Sequence, residues 1–231
     1  QEYERGLELE TGKVWVLRKS DKVRIFEEIR TSHPDKVLLV SVECSGKMDL
    51  KLWFEPYNQE GGMEPTEVGI RFFADAFEML HCDQKCGVHL EGALKVVTDG
   101  ETESDESGLW IRKCTNVQIY LAMETDFENK DLSDRCMHQI AFARCISAVQ
   151  KGAAEVIRRH EEDIKQFTEG TRLEIEGTDS VSGKIPLMFQ YGRYLLFCSS
   201  REDSKLPAHL QGIWNDNVAC RIGWTCDMHL D

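Results

Sequence analysis

Apolar and polar positions alternate along most of the first half of the chain, and the alternation breaks at clusters of turn residues. Residues 13–31 read as two strands, VWVLRK and VRIFEEIRTS, joined at Ser20-Asp21-Lys22. Residues 32–36, SHPDK, are a turn in which Pro34 stops the strand. VLLVSVEC is a dense β-branched run suited to a buried strand. Ser45-Gly46-Lys47 then predicts a hairpin into MDLKLWFEP, where Met48, Leu50, Leu52 and Phe54 alternate. Residues 59–66 predict a loop, 68–80 an extended run, and 87–97 an alternating strand. The acidic stretch TDGETESDES at 98–107 predicts a solvated loop, and residues 109–114 and 117–123 complete the β part.

The period then changes. Asp131 or Ser133 can cap a helix in which Phe142, Ile146 and Val149 have helical spacing. A second helix runs over about 153–167, with Ala153, Ile157, His160, Ile164 and Phe167 on one face and a charged opposite face. His160 reads as an interface histidine, because nothing else on that face binds metals. RLEIEG at 172–177 is strand-like, and 177–183 is a loop. Ser182 with Pro186 signals a third helix start, with Leu187, Tyr191, Tyr194, Leu195 and Cys198 as its buried face.

The last forty residues carry the chemistry. Trp214, Asn215, Trp224, Asp227 and His229 fall in a Gly/Pro-punctuated stretch. Indoles that cover the C–H faces of a pyranose, beside amide, imidazole and carboxylate groups that bind hydroxyls, make a sugar site. The strings GRYLLFCSS (192–200), LPAHLQGIWND (206–216) and WTCDMHLD (224–231) together resemble the opening of the catalytic barrel of glycoside hydrolase family 95, the inverting 1,2-α-L-fucosidases and related α-L-galactosidases. Two positions depart from the family pattern. His209 stands at a family Asn, and Asp231 stands at the first of two family Asn residues that activate water.

The resemblance implies an α+β multidomain chain. It assigns 1–127 to the later half of an N-terminal β-sandwich, 128–168 to a helical linker, and 169–231 to the start of an (α/α)6 barrel, as a central fragment of a longer enzyme. It implies that His229 contacts the sugar hydroxyls, that Trp214 and Asn215 line or underlie the pocket, and that Asp227 holds His229 or its loop. Trp214 as core and Asn215 as a turn residue is an equal reading, and Trp224 reads as structural. Asp231 is the catalytic candidate: an Asp there can accept the proton that an Asn only orients. The general acid of an inverting glycosidase is expected from a later segment, so residues 1–231 by themselves are expected to be inactive. The implied partner is a fucosylated or galactosylated oligosaccharide, with no cofactor and no metal.

Composition narrows the alternatives. The chain has 231 residues, 41% hydrophobic and 30% charged, a globular composition. Its net charge of −13 opposes nucleic-acid or anionic-membrane partners. No run reaches the roughly 18 apolar residues of a membrane helix. No signal peptide opens the chain, although Gln1 is not a start methionine. Nine scattered cysteines predict free thiols and a cytoplasmic location, with secretion open if a leader precedes Gln1. Cys82 and Cys86, flanked by His81 and His89, are favoured as buried thiols in a turn over zinc ligands. Nucleotide loops and a G-x-S-x-G serine site are both absent from the sequence. A non-catalytic reading remains, a carbohydrate-binding β module using Trp53 and Trp110, as does a truncated remnant without function.

Overall fold

A computed structural model describes residues 2–56, 61–66, 68–75, 88–127, 131–177 and 181–204. The chain divides into two compact units, 1–77 with 87–163 and 78–86 with 164–231.

In the first unit, the described residues form nine antiparallel strands: β1 (Glu2–Glu8), β2 (Lys13–Lys19), β3 (Arg24–Ser32), β4 (Val37–Leu52), β5 (Gly61–Thr66), β6 (Gly69–Asp75), β7 (His89–Thr98), β8 (Glu101–Asp105) and β9 (Gly108–Thr125). They pair in the order β1-β2-β3-β4-β9-β7-β6-β5, and β8 pairs with the first half of β9. Three strands lie where none is predicted. β1 and β5 are the outer strands of this order, and β8 is a short hairpin arm. Their side chains are mostly charged, small or exposed, so main-chain pairing rather than an apolar face defines them. Pro65 is tolerated in β5 because that strand pairs on one side only among the described residues.

The hairpin expected at Ser45-Gly46-Lys47 is not formed. β4 runs on through it, and the register against β9 slips between Glu43 and Met48 and again between Met48 and Leu50. Bulges of this kind bend a strand without ending it. Side chains hold the bend. Ser45 Oγ accepts from Arg24 N at 2.9 Å, and Asp49 accepts from Lys113 N at 2.9 Å, where Lys113 has φ 54°. Asp99 accepts from Thr115 and Asn116, and these bonds hold its carboxyl down at about 2. The two β9 segments predicted separately are therefore one continuous strand.

The two faces of the sheet have different cores. On one, Val42, Ile111, Cys114, Val117 and Ile119 form a cluster, and Ile70, Phe72 and Leu109 a second. On the other, Val37, Leu39, Ala93, Tyr120 and Ala122 meet helix α1 (Asp134–Lys151) and Val156 of α2 (Ala153–Thr168). Ser133 caps α1, as one of the two predicted candidates, and Gly152 ends it at φ 81°, a conformation that favours glycine. The buried stripe of α1 is Met137, Ala141, Cys145 and Ala148, one position away from the predicted Phe142, Ile146 and Val149. Small residues let the helix lie close on the strands, and Phe142 is left largely exposed with Lys95 over its ring. On α2, Val156, His160 and Ile164 are buried at four-residue spacing. His160 is the interface residue expected of it. Burial lowers its pKa, and the neutral ring donates from Nε2 to Thr11 O at 2.8 Å.

Helix α3 (Lys184–Ser199) belongs to the second unit. Its cap position is Gly183 rather than Ser182, and residues 171–177 form no strand. The face predicted to be buried is so only in its second half: Tyr194, Leu195 and Cys198 are half-buried, whereas Leu187 is 60% exposed and Tyr191 also faces out. Phe197 stacks on Phe167 at 4.6 Å between centroids. Arg193 makes main-chain and aromatic contacts. It donates to the carbonyls of Phe167 and Thr171 and lies over the Phe167 ring.

The five described cysteines are free thiols. Cys145 donates to Ala93 O and Tyr120 O, and burial pushes its thiol up to about 11. Alkylation of the native protein followed by peptide mapping is expected to modify exposed Cys136 within minutes. Cys44, Cys114 and Cys145 should react only as the protein unfolds. Fast modification of Cys145 in native protein would contradict this core.

Candidate functional site

Asp231, His229, Asp227, Asn215 and Trp214 all lie outside the described residues, as do Trp224, His209, His81, Cys82 and Cys86. The described chain leads up to them. GRYLLFCSS is the second half of α3, closed by Ser200 N donating to Leu196 O at 2.9 Å. A turn follows in which Ser204 N donates to Arg201 O at 3.0 Å, Arg201 N donates to Ser204 Oγ at 2.9 Å, and the Arg201 guanidinium lies 3.8 Å from the Phe197 centroid. The start of the motif is thus fixed on aromatic packing inside the second unit. Burial raises the pKa of Tyr194 and of the Cys198 thiol, so both are neutral at ordinary pH.

A dense charged cluster occurs elsewhere, in the first unit, where β6, β7, β9 and the start of α1 meet. Glu91 on β7 is 1% exposed and stands directly across from Glu124 on β9. Arg71 forks onto Glu91 at 2.8 and 3.0 Å and also reaches Glu64, which raises the guanidinium pKa further. Arg144 of α1 pairs with Glu124. His89 lies two residues before Glu91, on the same face of β7. Its Nδ1 is 2.7 Å from Asp75 Oδ1, and its Nε2 is 3.5 Å from Glu91 Oε1 and 3.8 Å from Asp134 Oδ1. Burial disfavours the imidazolium, but Asp75, Asp134 and Glu91 together outweigh it and raise the pKa of His89. Each carboxylate of the Glu91–Glu124 pair is matched to an arginine, so the pair is arranged to hold the sheet and helix together, not to exchange protons with a sugar. The sequence reading placed His89 with Cys82 and Cys86. The i, i+2 relation of His89 and Glu91 was the available signal for this cluster, but the closeness of Asp75 and Asp134 arises only on folding.

Comparison with known proteins matches the strands and the helices to two different family models. Residues 1–130 match the family model for the glycosyl hydrolase family 65 N-terminal domain, and residues 138–231 match that for the glycosyl hydrolase family 95 catalytic domain. Residues 138–231 belong to glycoside hydrolase family 95. A relative, alpha-L-fucosidase 2 of Arabidopsis thaliana, is 26% identical over 268 aligned residues, covering 94% of this chain and 31% of the relative. A solved structure of a candidate kojibiose phosphorylase from human microbiome shares the fold, with TM-score 0.57 and 14% identity over 86% of this chain and 28% of that one. The chain thus spans about a third of the length of these relatives. The family 95 assignment places GRYLLFCSS, LPAHLQGIWND and WTCDMHLD inside the matched catalytic domain.

The two indoles considered for a binding face differ in this chain. The Arg112 guanidinium lies 4.0 Å from the Trp110 ring centroid and Lys51 Nζ 5.1 Å from it, so cations already cover that indole. Trp53 is 60% exposed, with Lys51 Nζ 5.9 Å from its ring centroid.

Proposed function

We propose that this chain carries part of the machinery of an inverting glycoside hydrolase that removes terminal α-L-fucosyl or α-L-galactosyl groups from oligosaccharides. The observation that carries the reading is the catalytic-domain match over residues 138–231, which contains the ordered motifs ending in WTCDMHLD. The identity to alpha-L-fucosidase 2 supports fucose as the sugar to try first. In this reading α3 is the first helix of an (α/α)6 barrel. His229, Asn215 and Trp214 bind the sugar, and Asp227 positions His229. Asp231 sits on the face from which water attacks, opposite the leaving oxygen. The general acid belongs to a later barrel segment. The free thiols of the described cysteines support a reducing, cytoplasmic setting. Among the described residues, no helix is long and apolar enough to cross a membrane.

The test is calorimetric titration of residues 1–231 with an α-1,2-fucosylated trisaccharide and with its unfucosylated core, beside a turnover assay. Heat is expected only with the fucosylated sugar, without release of fucose. His229→Ala should weaken binding at least tenfold, the loss expected for one buried polar contact. Equal heats for the two sugars would remove fucose recognition from the proposal. The exposed indole at Trp53 favours a second reading, a sugar-binding β surface without catalysis. It is preferred if Trp53→Ala abolishes the heat and His229→Ala leaves it unchanged.

A further inference from the structure

We propose that His89, Glu91 and Asp134 form a divalent-metal site that fastens the start of α1 to the sheet. The site is separate from the sugar-binding motif and does not depend on the function proposed above.

The geometry comes from three local rules. Strand alternation puts His89 and Glu91 on the face of β7 that α1 covers. The Ser133 cap fixes Asp134 as the first residue of α1. The His89 backbone is itself held, because its N–H donates to Asp126 Oδ1 at 3.0 Å. One ligand atom from each of His89, Glu91 and Asp134 then lies within 4.8 Å of the other two. Zinc-type bonds of 2.0–2.1 Å in tetrahedral geometry set ligand atoms about 3.3 Å apart. The observed 3.5 and 3.8 Å separations from Nε2 need only a slight contraction. Asp134 is well exposed and can supply it, leaving the fourth position to water.

The imidazole provides the independent sign of a ligand. Asp75 accepts a hydrogen bond from Nδ1–H, which orients the ring so that Nε2 faces Glu91 and Asp134, and a bound metal would displace any proton on that nitrogen. Nε2 is buried and has no hydrogen-bond partner. A buried ring nitrogen aimed at two carboxylate oxygens, both beyond good hydrogen-bond length, is what a metal-ligating histidine presents. The carboxylate behind it, Asp75, is the outer partner such histidines use. The surroundings also suit a dication. Glu64, Asp75, Glu91, Glu124, Asp126 and Asp134 gather here, and Arg71 and Arg144 are the guanidiniums that pair with them. One imidazole with two carboxylates favours borderline first-row ions such as Zn2+, Co2+ or Mn2+ over Mg2+ or Ca2+. Bound between β7 and α1, the ion would add to the apolar packing and the Arg144–Glu124 pair that already hold the helix on the sheet.

The experiment uses Co2+ as the probe, because its absorption separates nitrogen and oxygen ligands from thiolates. The full chain is dialysed against EDTA and titrated with Co2+. The expected result is one equivalent bound, with visible d–d bands and no thiolate charge-transfer band in the near ultraviolet. A hundredfold excess over the Kd should raise the Tm by roughly 5 °C. Asp134→Asn, at an exposed position, should fold normally and weaken Co2+ binding at least tenfold. Cys82→Ser/Cys86→Ser should leave the bands unchanged. Absence of binding, or bands with thiolate charge transfer that survive Asp134→Asn, would overturn the site. His89→Gln is expected to abolish the bands; should it not fold, Asp134→Asn decides alone.

Discussion

Gly92→Val is expected to destabilise the protein by about 3 kcal/mol, the upper end of overpacking in a filled core. Gly92 is a buried β7 residue directly opposite Phe72 of β6. A Cβ placed on it would lie 2.1, 2.3 and 2.7 Å from three carbons of the Phe72 ring. Phe72 is 4% exposed and packs at 4.9 Å on Phe54, so the ring has little room to withdraw. A strand glycine is costly in conformational entropy, and here it is retained because an aromatic ring fills its side-chain space. Urea unfolding of the single variants and of Gly92→Val/Phe72→Leu forms the test. Phe72→Leu alone is destabilising through its cavity, but the double variant should be more stable than the sum predicts by at least about 1 kcal/mol. Additive losses, or a Gly92→Val variant within about 0.5 kcal/mol of the parent, would show that the ring does not depend on the glycine.

This contact also shows what the sequence could and could not disclose. FFAD and HLEGALKVV read as strands because their alternation is strong, but nothing in either string says that residue 72 faces residue 92. β3, the first half of β4, β7 and most of β9 were legible for the same reason: each has a buried face with period two. β1, β5 and β8 were not, since Glu, Gly, Thr and Ser dominate them and pairing alone makes them strands. The bend of β4 lies at Ser45-Gly46-Lys47, whose turn composition predicts a hairpin, and composition does not distinguish a bulge from a turn. The existence of α1 was clear and its buried face was not, because the residues that touch the sheet are Ala141, Cys145 and Ala148, whose apolar signal is weaker than that of neighbouring Phe142. The candidate sugar site was legible as an ordered motif, which is a statement about family and not geometry. The His89 cluster was the reverse: its geometry is plain in the fold, while Asp75, Glu124 and Asp134 are distant in sequence from one another.

The turn SHPDK conceals the last expected effect. Asp35→Ala should reduce stability at neutral pH by about 2–3 kcal/mol. The Asp35 carboxyl is 1% exposed, although its residue lies in a turn. It accepts from Ser32 Oγ at 2.9 Å, from Lys151 Nζ at 2.8 Å and from Arg159 Nε at 3.1 Å, so it joins the β3–β4 turn to the end of α1 and to α2. Breaking a buried ion pair typically costs roughly 3–5 kcal/mol because a charge is stranded. Here Lys151 and Arg159 are each about a third exposed and can rehydrate, which places the loss lower. Burial alone would raise the Asp35 pKa, but the bonds from Lys151, Ser32 and Arg159 outweigh it and the value lies below the ordinary one. The carboxylate's contribution is complete above the unfolded pKa of about 3.9 and disappears as pH falls through the lower folded value. Urea midpoints of the parent and Asp35→Ala should therefore differ most from pH 5 to 7 and draw together as pH falls below the unfolded value of about 3.9 and through the lower folded one. Lys151→Met leaves Arg159 and Ser32 on the carboxylate, so it should cost only about 1 kcal/mol in the same window. A gap between parent and Asp35→Ala that stays constant down to pH 3 would mean that the turn is held by its shape and not by the charge on Asp35.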